Sequence, residues 1–243
     1  MTPTGDRWVV ISGAGGAIGR ELVAHFAAKG HPVLALDRTF DTSHRHSSVV
    51  VRTLDLSDEA QVQGALAEAI PAAASIALLV NTVGLIWNEP TLSIKGAKLV
   101  THGVDSWRKV IEANLTAPFV VAAQVAARMA RRGGGAIVNF SSMSWMAGMG
   151  GMAVYTASKS AMIGLTRSLA RDYGEWNIRV NAVAPGWVRT ERQLTKWLTP
   201  EGDKQRLAAQ CLKRWVEPED IARFCVFLAS DDASACTDRK SVV

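Results

Sequence analysis

Cysteine is scarce in this chain, and its placement excludes the roles it usually plays in small folds. Cys211, Cys225 and Cys236 all lie near the carboxyl end and form no C-x-x-C pair. That spacing argues against a disulfide scaffold or a zinc site and for reduced thiols. Long apolar runs are also missing: none approaches the ~18 residues a membrane-spanning helix needs. The start, Met1-Thr2-Pro3-Thr4-Gly5-Asp6-Arg7, lacks the basic-then-apolar layout of a signal peptide. A cytoplasmic protein with no membrane partner is the expectation. Neither sign of charge dominates strongly, with 27 Lys and Arg against 22 Asp and Glu, a net charge of +5 and a pI near 9.3. The basic residues are scattered, and their densest group, Arg128, Arg131 and Arg132, falls at the end of an expected helix, where cations complement the helix dipole. Without a basic stripe to follow a phosphate backbone, nucleic acid is not an expected partner. His102 has no companion ligands, so no metal site is expected.

What is present is ordinary globular material: 243 residues, 48% hydrophobic and 20% charged, enough for one core and unsuited to wholesale disorder. Short β-branched runs alternate with longer helical stretches. Strands are expected at 8–12, 33–37, 49–51, 76–81, 136–140 and 178–183, and helices at 18–29, 58–69, 105–131 and 153–173. Strands apolar on both faces and joined through helices predict a single α/β domain over 1–243, a doubly wound parallel sheet of the Rossmann type with helices on both faces. Two stretches break the rhythm, a long loop at 85–104 and the segment 187–216. Both follow strand carboxyl ends, where open α/β sheets place ligands, so both are candidate walls of a substrate pocket.

Ser12-Gly13-Ala14-Gly15-Gly16-Ala17-Ile18-Gly19 joins the first strand to the first helix. Glycines permit a tight turn and close approach of backbone N–H groups to a pyrophosphate. The strict G-x-G-x-x-G fingerprint fails, because Ile18 holds the third glycine position. Asp37 ends the next strand, 24 residues after Gly13, where a dinucleotide-binding unit sets an acid against the adenosine ribose. A carboxylate there repels a 2′-phosphate and favours NAD over NADP, while the adjacent Arg38 partly offsets that repulsion.

Tyr155 and Lys159 are four residues apart in a helical stretch and so share a face. A phenol titrates near ~10, and a lysine ammonium one turn away would stabilise the phenolate and make it a usable base. Ser142 lies 13 residues before Tyr155, at the carboxyl end of the fifth expected strand, where its hydroxyl can bond the same substrate oxygen.

These features together resemble the short-chain dehydrogenase/reductase family over about residues 7–237. The family's Thr-Gly-x-x-x-Gly-x-Gly motif is met by Ser12 to Gly19, and its Asn-Asn-Ala-Gly by Asn81-Thr82-Val83-Gly84. Its adenine-side acid corresponds to Asp55, followed by Leu56, and its helix asparagine to Asn114. Its Ser and Tyr-x-x-x-Lys set corresponds to Ser142, Tyr155 and Lys159, and its nicotinamide-side Pro-Gly segment to Pro185-Gly186-Trp187-Val188-Arg189-Thr190. The resemblance implies cofactor contacts from Gly13, Gly16, Ile18, Gly19, Asp37, Asp55, Leu56, Asn81, Gly84, Tyr155, Lys159, Pro185, Val188 and Thr190. It also implies Tyr155 as general base, Ser142 holding the oxygen, Lys159 lowering the tyrosine pKa and binding the nicotinamide ribose, and Asn114 holding a relay water.

Within the family, the stretches Thr190–Gln193, 196–202 and 208–213, with Ser142-Met143-Ser144-Trp145, are similar to NAD-dependent aldose 1-dehydrogenases, which convert an anomeric hydroxyl to a lactone. Trp145, Trp187, Arg192, Gln193 and Trp197 could supply the aromatic platform and polar contacts a polyhydroxylated ligand wants. Residues 85–104 lack the polar stretch of those enzymes, so another sugar, a sugar acid or an unrelated alcohol stays open. A 3-oxoacyl-thioester reductase and a non-catalytic dinucleotide-binding regulator are the alternatives. The carboxyl end is irregular: Asp238 stands where the family has glycine, and Asp-Gly-Gly is missing after it. Whether residues 238–243 are ordered stays open at this point, and a homodimer or homotetramer is the expectation.

Overall fold

The computed structural model describes residues 7–40, 46–86, 92–95, 98–101, 103–196 and 198–243. In chain order they form β1 (Arg7–Ser12), α1 (Ala17–Ala28), β2 (Val33–Asp37), β3 (Val49–Thr53), α2 (Glu59–Ala69) and β4 (Ser75–Asn81). There follow β5 (Leu92–Lys95), β6 (Lys98–Thr101), α3 (Val104–Ile111), a π-helical turn (Glu112–Thr116), α4 (Ala117–Ala130) and β7 (Gly135–Phe140). The remainder is α5 (Ala153–Asp172), β8 (Ile178–Ala184), α6 (Glu191–Lys196), α7 (Pro200–Ala209), α8 (Pro218–Ala229) and β9 (Lys240–Val242).

Seven parallel strands lie in the order β3-β2-β1-β4-β7-β8-β9. Strand side chains alternate between two apolar layers, as a sheet covered on both faces requires. Val10, Leu34, Leu36, Leu79 and Ile137 pack with Val62 and Leu66 of α2, Val121, Val125 and Met129 of α4, and Leu169 of α5. Val9, Ile11, Val33, Leu78 and Val138 pack on the other side with Leu22 and Phe26 of α1 and Ile221 and Leu228 of α8. The order reverses between β1 and β4, and that switch point opens the crevice where the site lies.

Three expectations need correction, and one open point is answered. The loop at 85–104 contains an antiparallel hairpin, β5 with β6. The helix expected over 105–131 is interrupted by the π-helical turn. Pro118 supplies no N–H to the carbonyl four residues back, at Asn114, and such a gap is where a helical ladder slips register. The run Val104–Ala130 is, by length and composition, apolar enough to cross a bilayer. Its Val121, Ala122, Val125 and Met129 are fully buried, packed on the sheet instead. Finally, the carboxyl end is ordered: β9 pairs with β8 through Ala182 with Lys240 and Ala184 with Val242. Asp238 takes the left-handed conformation, φ +58°, which asparagine and aspartate tolerate better than most residues. Its N–H donates to Val180 O at 2.9 Å, and its carboxylate accepts from Arg167 Nε at 3.2 Å.

Candidate active site

A cavity of about 430 Å³ sits at the carboxyl ends of β1, β4, β7 and β8. Each strand hands it one segment: Gly13 to Gly19 after β1, Thr82 and Gly84 after β4, Ser141 and Ser142 after β7, and Pro185 to Val188 after β8. Gly13 turns at φ +77°, where a Cβ would lie 2.6 Å from Thr82 Oγ1, and a Cβ on Gly19 would lie 2.1 Å from Gly13 O. Thr82 locks the switch point by donating to Ser12 O at 2.7 Å and Gly13 O at 3.1 Å. A Cβ on Gly16 would meet only Gly13 O, at 3.4 Å, so its other side is open. Gly16 also caps α1 without any side-chain acceptor for the first-turn N–H groups. Gly16, Ala17, Ile18 and Gly19 therefore border the cavity with an uncapped helix start, a fit for the pyrophosphate of a dinucleotide.

Away from the cavity, Asp37 accepts the Gly15 N–H at 2.8 Å and the Arg38 N–H at 2.7 Å. The Arg38 guanidinium turns instead to Asp55, at 2.6 Å. That hydrogen bond, with those from Ser57, lowers the Asp55 carboxyl to about 2. Asp37 and Asp55 do not border the cavity, and neither does Leu56, which is buried in the core.

Asn81 also lies elsewhere than the motif implies. It is buried, accepts from Ser12 Oγ at 2.7 Å and donates to Asn139 Oδ1 at 2.9 Å. Asn139 in turn donates to Thr166 Oγ1 at 3.0 Å, so the asparagine ties β1, β4, β7 and α5 together under the floor. Asn114, in the π-helical turn, does not border the cavity either. Its carboxamide exchanges hydrogen bonds with the Leu85 backbone, at 2.7 and 3.0 Å, and donates to Ser158 Oγ at 3.0 Å. The side chain is spent on positioning; only its backbone carbonyl, opposite Pro118, lacks the usual helical donor.

Tyr155 and Lys159 share the buried face of α5 and both line the cavity, beside Ser142. Lys159 is 3% exposed, and its Nζ donates to Phe140 O at 2.9 Å and Val83 O at 3.1 Å. Burial, with no carboxylate beside it, pulls the ammonium down to about 8. Burial raises the Tyr155 pKa above its usual value, opposed by a hydrogen bond with Ser142 and by the charge of Arg192. Ser141 Oγ donates to Lys159 O at 2.7 Å, fixing α5 against β7.

On the substrate side, Trp187, Thr190, Arg192 and Gln193 border the cavity with Pro185 and Val188. Trp145 does not: its Nε1 donates to Ser141 Oγ at 3.1 Å, and its ring lines a separate groove along α5 with Thr156 and Ser160. Trp197 and His102 lie outside the described residues. Sequence reasoning missed Thr82, Ile86, Ser144 and the wall of Met143, Met149 and Met152. The spacing of those methionines, six and then three residues, was the available signal.

A family model described as enoyl-(acyl carrier protein) reductase matches residues 13–243. The chain belongs to the short-chain dehydrogenase/reductase family. This family member is an oxidoreductase with the Rossmann-type fold of its relatives. It is 38% identical to a D-xylose 1-dehydrogenase of Caulobacter vibrioides over 94% of this chain and 90% of that protein. It is 36% identical to a probable galactose dehydrogenase of Rhizobium meliloti, over 98% of this chain and 93% of that one. Among solved structures, a 4-hydroxyisoleucine dehydrogenase complexed with NADH is similar at a TM-score of 0.81 and 31% identity, covering 98% of this chain and 96% of that one.

Proposed function

We propose that this short-chain dehydrogenase/reductase oxidises a hydroxyl of a sugar-like substrate, the anomeric hydroxyl of an aldose, to a lactone, with NAD. The observation that carries this is the placing of Ser142, Tyr155 and Lys159 on one cavity, in a chain 38% identical over 94% of its length to a D-xylose 1-dehydrogenase. When bound, the nicotinamide supplies the hydride acceptor. Tyr155, as the phenolate, takes the proton of the reacting hydroxyl and becomes the phenol, and Ser142 holds the same substrate oxygen. Lys159 supplies a buried positive charge that favours this phenolate before the transfer. Asn114 positions the Leu85 backbone and Ser158, and a relay water would be held through its main-chain carbonyl rather than its carboxamide. Asp37 at the end of β2 supports NAD over NADP, because it would repel a 2′-phosphate and Arg38 is drawn off by Asp55. The proposal includes one functional domain over 1–243, a cytoplasmic setting, and a homodimer or homotetramer.

One feature favours a second reading. The methionines and Ile86 on the cavity wall would suit the chain of a 3-oxoacyl thioester, which the reductase alternative requires. A panel of aldoses, sugar acids and alcohols with NAD, followed by absorbance of the reduced nicotinamide, separates the two. Turnover of an aldose is expected. Tyr155→Phe should lower kcat by at least 10²-fold, the usual worth of a general base, while NADH binding persists. Preference for NADPH with acyl thioesters, and silence on every sugar, would establish the reductase instead.

A further inference from the structure

Among the described residues two buried side-chain polar atoms have no hydrogen-bond partner, Ser144 Oγ and Gln193 Oε1. Both residues line the same cavity, and Ser144 also lines the groove along α5. Folded chains seldom leave such atoms unpaired, because each forfeits its bonds to water without replacement. They come from separate elements: Ser144 from the short helical turn after β7, Gln193 from α6. Ser144 is 6% exposed, and its backbone N–H is already given to Ser142 Oγ at 3.2 Å. The hydroxyl is thus the group left over, two residues from the serine that faces the phenol. The same cavity is also lined by Ile86, Met143, Met149 and Met152, which offer apolar and weakly polar surface.

We propose that Ser144 Oγ and Gln193 Oε1 are specificity contacts, each pairing with a separate hydroxyl of the substrate in addition to the one held by Ser142 and Tyr155. The C–H face of that substrate lies on the methionine wall. This rests on the dehydrogenase reading above and narrows it to a substrate with at least three hydroxyls along one edge. A hydroxyl both donates and accepts, so it satisfies the Ser144 oxygen and either orientation of the Gln193 carboxamide. The 3-oxoacyl portion of a thioester presents carbonyl acceptors alone and would leave Gln193 Oε1 unpaired.

The test pairs two variants, Ser144→Ala and Gln193→Leu, with monodeoxy versions of whichever of D-xylose and D-galactose the wild type turns over faster. The wild type should lose about tenfold or more in kcat/KM at two different deoxy positions, since a site built to bond a hydroxyl rejects the analogue lacking it. Ser144→Ala should lose about tenfold on the parent sugar and become indifferent to one of those positions. Gln193→Leu should do the same at the other. NADH affinity, read by fluorescence, should stay within about twofold in both variants, which separates lost recognition from lost folding. Variants that slow the parent and every deoxy sugar by one common factor, or slow none, would overturn this inference and leave the dehydrogenase reading standing. A wild type that turns over no sugar overturns both.

Discussion

Lys159 keeps its charge in the interior with two backbone carbonyls and no carboxylate for company. Its pKa of about 8 lies below the ~10.4 of an unfolded lysine. Between those values the unfolded chain holds a proton that the folded chain has released, so stability rises with pH there. Below pH 8 the full penalty stands, on the order of 3 kcal/mol. Lys159→Met removes the titration. The difference in unfolding free energy between wild type and variant should therefore move by about 2–3 kcal/mol in favour of the wild type from pH 7 to pH 10. A difference flat in pH, measured by urea unfolding, would show that the ammonium is not desolvated. Asp238 makes a second prediction at this scale. Its left-handed backbone excludes β-branched side chains, so Asp238→Val should cost about 1–2 kcal/mol while Asp238→Gly stays close to the wild type. Equal losses in the two variants would place the effect in the Arg167 ion pair instead.

Among the elements, the excursion from β8 to α8 has the most bearing on the substrate. Its two ends meet in a bridge between Val188 and Val216, reinforced by the Arg189 N–H donating to Val216 O at 2.8 Å. Inside it the Arg206 guanidinium lies 3.5 Å from the centre of the Trp215 ring and bonds Asp203 at 2.7 Å and Gln210 at 2.7 Å. This packing sets the frame from which Thr190, Arg192 and Gln193 reach the cavity. Trp215→Ala removes a cation–π contact of about 1–2 kcal/mol. It should raise the KM for the sugar about threefold to thirtyfold and leave NADH affinity within about twofold. A loss of NADH affinity as large as the loss for sugar would place the excursion in the cofactor half. The π-helical turn teaches a related lesson: apolar periodicity ran unbroken through 105–131, and the warning was the single Pro118.

At the scale of the whole molecule, large apolar side chains remain on the surface in more than one place. Trp107 and Phe119 are exposed on α3 and α4, and Phe227 and Val242 on α8 and the edge strand β9. Because β9 is formed and paired with β8, that edge is available for subunit contact. Light scattering should give a mass at a multiple of 26.1 kDa. A mass equal to one chain at micromolar concentration would refute the homo-oligomer.

Much of the fold was legible because its causes are local. The alternation of β-branched runs with 3.6-period stretches specifies strands and helices, glycines specify the turn after β1, and four-residue spacing places Tyr155 and Lys159 on one face. What the tertiary structure alone decided is which polar group finds which partner. Asn81 fits a cofactor motif, yet its amide is consumed by Ser12 and Asn139, far away in sequence. Asp55 is taken up by Arg38, Trp145 by Ser141, and Asn114 by Leu85 and Ser158. Ser144 and Gln193 stand out only once the fold has buried their side-chain oxygens without a hydrogen-bond partner. Hydrogen bonding reaches about 3 Å and depends on direction, so its outcome follows from the packed sheet and not from spacing along the chain.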